Sequence, residues 1–376
     1  MNCDYFGKCG SCNFYQGGYE TQIRLKENRV KADFHDIFNG DFEVFKSPEE
    51  NYRYRVEFKV WHKGESIHYA MRGVEKNDIV LIDNCSMVSK PIENLMSPLL
   101  SEIGKSALLS KKLFSIEFLS NRVGDIVVTL IYHKKLSNVS DDWDIEAKEI
   151  QTQFNISIIG RSRKEKRVLG KDYISDKLEI EGKEYQFRHL ENSFSQPNPA
   201  VNQNMVNWIV GNVDKLEKVD DLIELYCGSG NFTIPLSTKF NKVLATESSK
   251  LGIISAIENR DRNSVKNIDF IRVSSEEFTE AIDKKRVFFR LKDIDLDSFS
   301  LNTIFVDPPR SGLDNKTIEL TKRFKNILYI SCNPETFKRD LDILGKTHKI
   351  RKMAIFDQFP YTKHLEMGAI LESEID

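Results

Sequence analysis

From Leu222 onward the chain repeats one pattern: a short apolar run, a polar turn, then a helix-like segment. That alternation is the grammar of an open α/β sheet, in which ligands bind at the carboxyl ends of the strands. The runs are Leu222–Leu225, Val243–Thr246, Thr303–Val306, Ile327–Ser331 and Met353–Phe356. Met367–Leu371 follows as a last strand, expected to return antiparallel and to bring Glu366 to the same edge. Each turn after a run is therefore a place to look for chemistry.

The turn after Ile327–Ser331 holds Cys332, followed by Asn333-Pro334-Glu335 and the amphipathic stretch Phe337–Leu344. A thiol at a strand end, beside polar groups and a helix start, is a candidate nucleophile; a buried structural cysteine is the alternative. The first turn reads Tyr226-Cys227-Gly228-Ser229-Gly230-Asn231, a G-x-G whose missing side chains let a ligand approach the backbone. Cys227 inside it reads as a packing residue. The second run ends in Glu247, 21 residues past Tyr226, where an acid binds ribose hydroxyls in nucleotide-type sites. The third glycine of the dinucleotide fingerprint is absent, which favours S-adenosylmethionine over NAD. The third run ends in Asp307-Pro308-Pro309-Arg310, whose prolines fix the loop so that Asp307 faces a base or cofactor without relaxing away.

A chain of 376 residues calls for two or three units with their own cores. Net charge is −2, so any RNA binding has to come from local basic patches rather than a global field. The sequence contains no run of eighteen apolar residues, and Met1–Tyr5 lacks the character of a signal peptide. The expectation is a cytoplasmic monomer with no membrane partner.

Two further patterns precede Leu222. Cys3, Cys9 and Cys12 stand among glycines in a segment too polar for a core, and Cys85, in a turn-like stretch, would complete four thiolates by folding back. An iron-sulfur cluster or zinc would both suit that set. One connecting helix is expected over residues 19–38. From Tyr52 the residues alternate: Tyr52, Tyr54, Val56, Phe58 and Val60 on one face of a strand, Arg53, Arg55, Glu57, Lys59 and Trp61 on the other. Cations beside an exposed Trp suit phosphates and a stacked base. A second basic cluster contains Arg161 and Arg163. The division that follows is a Cys-bearing segment with its helix (1–48), a mostly β RNA-binding domain (49–190), and a Rossmann-like α/β domain (191–376).

Four blocks, Glu224–Phe232, Phe305–Asp314, Tyr329–Thr336 and Phe356–Gly368, are closely similar to the RNA 5-methyluridine methyltransferases. Tyr52–His62, Leu130–Leu136, Ile159–Arg163 and Glu191–Asn198 extend the resemblance upstream. It implies a Rossmann-like methyltransferase domain using S-adenosylmethionine, bound by Gln196, Tyr226, Asn231, Glu247 and Asp307, with Gly228 in the same turn. It also implies Cys332 as the nucleophile and Glu366 as the proton acceptor; Glu335 is the runner-up base by its proximity in sequence, and His364 reads as structural or supporting. Within the family the middle blocks are most similar to members that methylate the T-loop uridine of tRNA. The amino-terminal cysteines instead resemble rRNA-modifying members that hold an iron-sulfur cluster, which keeps rRNA as the alternative substrate. Methylation of an exocyclic amine through the Asp307 loop, and an RNA-binding protein with a vestigial site, are the other readings.

Overall fold

The computed structural model describes residues 3–14, 17–75, 77–136, 142–286 and 288–374. The apolar runs pair into one eight-stranded sheet in the order Phe42–Phe45, His348–Phe356, Glu366–Ser373, Asn326–Ser331, Leu301–Val306, Asp221–Leu225, Val243–Thr246 and Ile268–Ile271. All run parallel except Glu366–Ser373, which is antiparallel to both neighbours, as its position after the last turn anticipated. Strands covered on both faces bury every side chain. Ile327 and Tyr329 enter one core with Val30, Phe34 and Phe337, while Leu328 and Ile330 enter the other with Met205, Trp208 and Phe356.

Two strands of this sheet lie outside the five runs and the returning strand. Ile268–Ile271 is an edge strand with Asp269 exposed, so it carries no continuous apolar signal. Phe42–Phe45 comes from the amino-terminal segment and extends the opposite edge through pairing with Met353–Phe356. The helix before it, Tyr19–Phe34, sends Val30 and Phe34 into the same core. The hairpin Tyr173–Ile180 and Lys183–Leu190, grouped by sequence with the β-rich domain, packs Leu178, Ile180, Tyr185 and Phe187 against the helix Pro199–Val213 of the α/β layer.

The β-rich domain is a seven-stranded sheet in the order Ile79–Ile82, Ser66–Arg72, Arg55–Lys63, Leu113–Ser120, Ile126–Tyr132, Ser157–Ser162 and Glu165–Leu169. Its one parallel pair, Ile126–Tyr132 with Ser157–Ser162, is bridged by the helix Asp142–Phe154. Val56, Phe58 and Val60 face that helix and Lys90–Lys105, which cover one side. No helix among the described residues is long and apolar enough to cross a membrane.

Candidate active site

The strand Asn326–Ser331 is wholly buried and stops where Asn333 caps the helix Pro334–Leu344. The Asn333 side-chain oxygen accepts the Glu335 N–H at 3.2 Å, and Pro334 sits where a helix needs no N–H. Cys332 is thereby fixed between the end of a strand and a cap, partly exposed. The Asn333 amide donates to the Arg310 carbonyl at 2.9 Å and the Thr336 hydroxyl donates to the same oxygen at 3.1 Å. These bonds lock the Cys332 turn to the Asp307-Pro308-Pro309-Arg310 turn.

The site's charges act on one another. Burial, then the Glu366 and Asp307 carboxyls, push the Cys332 thiol up to about 11, and the Arg310 guanidinium works against them. Glu366 is buried; loss of hydration and then the Asp307 charge hold it well above the carboxylate range, again opposed by Arg310. Burial raises Asp307 to about 7. Cys332, Glu366, Asp307 and Arg310 therefore form one cluster at the carboxyl edge of the sheet. Arg310, to which the sequence lent no role, is its cation. Glu335 is exposed, and Cys227 is buried in the core. His364 lies outside the cluster, exposed, 3.5 Å from Arg310.

Beside the cluster runs a cleft of two hollows that share Tyr226 and Glu247. The smaller, about 240 Å³, brings together all six expected cofactor residues: Gln196, Tyr226, Gly228, Asn231, Glu247 and Asp307. Glu247 accepts the N–H of Gly228 at 3.1 Å and of Ser249 at 2.7 Å, which aims its carboxylate across the G-x-G turn. Asn231 exchanges hydrogen bonds with Asn202 at 2.9 Å, and Gln196 accepts from Gln358 at 2.7 Å. Tyr226 holds φ at 65°, a left-handed conformation that costs a tyrosine roughly 1–3 kcal/mol, and its hydroxyl donates to Ser275 at 2.8 Å. A Cβ on Gly252 would stand 2.8 Å from the Glu247 side chain and 3.1 Å from the Gly228 carbonyl, so only glycine lets the helix Lys250–Arg262 approach the turn.

The larger hollow, about 550 Å³, adds Val273, Ser275, Leu313 and Arg339. None of these was picked out from the sequence. The available signal was Ser274 and Glu277, a reciprocal cap that opens the helix Ser275–Ile282 just after the edge strand Ile268–Ile271.

The basic residues divide. Lys59 and Trp61 lie on the uncovered face of the seven-stranded sheet and line a groove of about 740 Å³ with Arg72, Ile79 and Phe114; the Lys59 ammonium stands 4.1 Å over the Phe114 ring. At the other end of that face Ile174 covers Leu119, Val127 and Ile159. Here Arg55 pairs with Glu117 at 2.6 Å and donates to the Glu191 and Ser193 carbonyls, and Arg161 pairs with Glu191 at 2.6 Å. Each of the two therefore already has a carboxylate partner within the chain, at positions 117 and 191, which alternation alone does not position. Arg53 donates to the Arg55 carbonyl at 2.9 Å, and Arg163 is exposed.

Cys3, Cys9, Cys12 and Cys85 do converge, lining one pocket with Tyr5, Phe6 and Met71, and none forms a disulfide. Burial and the neighbouring thiols push Cys12 and Cys85 up to about 12. Among the described residues, however, no group of three or more Cys, His, Asp or Glu is placed to hold a metal ion, so the expected metal centre is not borne out by this arrangement.

Residues 18–374 match the family described as tRNA (Uracil-5-)-methyltransferase. The chain is 50% identical to the tRNA/tmRNA (uracil-C(5))-methyltransferase of Sulfurimonas denitrificans, covering 99% of each chain. It is 51% identical to the protein of the same name from Aliarcobacter butzleri, again over 99% of each. Among solved structures, the Pyrococcus abyssi tRNA (uracil-54, C5)-methyltransferase in complex with S-adenosyl-L-homocysteine shares the fold, with a TM-score of 0.73 at 24% identity over 96% of this chain and 85% of that one. With the match spanning nearly the whole chain, and both the Cys332 turn and the G-x-G cleft inside it, the protein belongs to the tRNA (uracil-5-)-methyltransferase family.

Proposed function

We propose that this protein transfers a methyl group from S-adenosylmethionine to C5 of a uridine in tRNA, through a transient bond between Cys332 and C6 of the base. The observation that carries the reading is the cluster of Cys332, Glu366, Asp307 and Arg310 at the rim of the Tyr226–Glu247 cleft. Half-identical relatives named tRNA/tmRNA (uracil-C(5))-methyltransferases support tRNA, with tmRNA as a second substrate of the same kind, over rRNA.

Uracil C5 is too weak a carbon nucleophile to take a methyl group unaided. Attack of the Cys332 thiolate at C6 moves the ring electrons onto C5 and O4 as an enolate. S-adenosylmethionine supplies an electrophilic methyl on a cationic sulfur. Once C5 carries the methyl group, its hydrogen leaves as a proton to the Glu366 carboxylate; the returning electrons restore C5=C6 and expel the thiolate. Burial and crowded carboxyls disfavour negative charge on both the thiol and Glu366, so the thiol proton has to leave to solvent before attack and Glu366 has to be ionised before it takes the C5 proton. The Arg310 guanidinium opposes that effect on both groups. The Glu247 carboxylate suits a ribose diol, and Asn231 and Gln196 line the same hollow. The target base has to leave its stack, at a cost of a few kcal/mol that contacts elsewhere on the RNA offset.

Incubation with labelled S-adenosylmethionine and separate unmodified tRNA and rRNA pools, followed by nucleoside mapping, tests the substrate. The expected product is 5-methyluridine in tRNA; label confined to rRNA would overturn that choice. Methylation of an exocyclic amine would require neither Cys332 nor Glu366, so Cys332→Ala separates the two chemistries. Cys3, Cys9, Cys12 and Cys85 line one pocket without standing at ligand geometry, and four thiols are the donor number of an iron-sulfur or tetrathiolate centre. Iron, sulfide and zinc content after anaerobic purification decides that proposal, and a colourless protein free of both metals would remove it.

A further inference from the structure

The loop 357–365 joins the strand His348–Phe356 to Glu366, and a polar network at complete burial holds it. Lys26, on the amino-terminal helix Tyr19–Phe34, pairs with Asp357 at 2.5 Å with both side chains 0% exposed. The same ammonium donates to the main-chain carbonyls of Phe359 at 3.1 Å and His364 at 3.2 Å, two residues short of Glu366. Gln22, one turn earlier, donates to Asp357 at 3.0 Å and accepts the Tyr361 N–H at 2.8 Å. Arg29 adds a bond to the Lys363 carbonyl at 2.9 Å from the exposed side of the helix. At the other end of the loop Gln358 donates to Gln196, on the rim of the cofactor hollow.

Burying an ion pair is a poor way to gain stability, since the desolvation cost is comparable to the attraction. What this pair does supply is direction. A charge with three donors fixes two loop carbonyls and one carboxylate at once, where an apolar contact would leave the loop free to slide. We infer that Lys26, with Asp357, is a positioning residue that sets the placement of the Glu366 carboxyl relative to Cys332. The inference rests on the reading of Glu366 as proton acceptor.

The reaction order makes a positioning role visible. The Cys332–base bond forms before Glu366 is needed and breaks only after Glu366 has taken the C5 proton. A misplaced Glu366 therefore lets a methylated protein–RNA adduct accumulate, whereas general damage to the fold lowers adduct and product together. The variants are Lys26→Met combined with Asp357→Asn, which leaves no buried charge, the conservative Lys26→Arg, and Arg29→Ala. The readouts are kcat, KM for S-adenosylmethionine, and the fraction of protein in denaturant-stable complex with tRNA. A displacement of the base by about 1 Å predicts a kcat roughly ten- to a hundredfold lower in the double variant. Its adduct fraction should rise toward that of Glu366→Gln, with KM for S-adenosylmethionine essentially unchanged, and Lys26→Arg should recover part of the loss. Parallel loss of adduct and product, or full activity, would overturn the inference. If the double variant is insoluble, Arg29→Ala decides: a higher adduct fraction supports the role, an unchanged one overturns it. Failure of Glu366→Gln itself to accumulate adduct would instead remove the base assignment.

Discussion

Cys332 and Glu366 share surroundings that disfavour negative charge on both, and this fixes how the site titrates. With the thiol raised to about 11, the thiolate fraction of the free protein should grow about tenfold per pH unit between pH 7 and 9, and alkylation of Cys332 with it. Peptide mapping of iodoacetamide labelling measures the slope, and Arg310→Ala, which removes the opposing cation, should slow labelling further. Asp307 makes a second prediction with a definite sign. Its folded pKa, about 7, lies above the ordinary carboxylate value of 3.8, so the folded state resists ionisation. No penalty exists below pH 3.8; stability is lost as pH rises from there through about 7, and the full loss persists above. Asp307→Asn should accordingly be more stable than the parent by on the order of 1–3 kcal/mol at pH 8, with the difference gone at pH 4, while methylation falls. Urea unfolding at the two pH values checks both halves; equal stability at pH 8 would mean that Asp307 is not held in a charge-averse site.

At the scale of elements, the Cys332 turn depends on a cap. Asn333→Ala removes the bond to the Glu335 N–H and the tie to the Arg310 carbonyl. The expected cost is about 1 kcal/mol of stability together with a lower kcat, read from denaturant midpoints and initial rates. Elements of this kind were the most legible part of the chain. The buried strands announce themselves because every side chain in Ile327–Ser331 must be apolar or small, and Asn333-Pro334 signals the helix start. The places of Cys332, Glu247 and Asp307 follow from where those strands end, whereas Gln196 and the part expected of Glu366 came from the family resemblance. The rest depended on contacts between distant segments. Ile268–Ile271 is too short and too polar on one side to stand out. Phe42–Phe45 gains its place only from Met353–Phe356, more than three hundred residues later. Lys26 reads as one more charge on a polar helix, because its partner Asp357 is equally remote.

For the molecule as a whole, the question is which cations are free to meet RNA and which hold the two sheets together. Arg55 and Arg161 lie on the same face as Lys59 and Trp61, yet they meet Glu117 and Glu191 at the end covered by the hairpin. A cation already neutralised by a carboxylate displaces few counterions from RNA, whereas one facing solvent displaces about one. Lys59 is itself near Glu57, at 2.5 Å, but both groups are about half exposed, and a pair of that kind contributes little and exchanges readily for a phosphate. Lys59→Ala should therefore weaken tRNA binding and reduce the slope of log affinity against log salt by roughly 0.7–0.9, the value of one phosphate contact. Trp61→Ala should weaken binding by roughly 1–3 kcal/mol without altering that slope, as loss of a stacking surface does. Arg161→Ala should leave the slope unchanged and act on stability instead, because Glu191, 1% exposed, loses its closest cation. Filter binding of tRNA across a salt series, paired with unfolding curves for the three variants, separates these outcomes. A drop in slope for Arg161→Ala as large as that for Lys59→Ala would return Arg161 to the RNA surface and leave the junction to Arg55 alone.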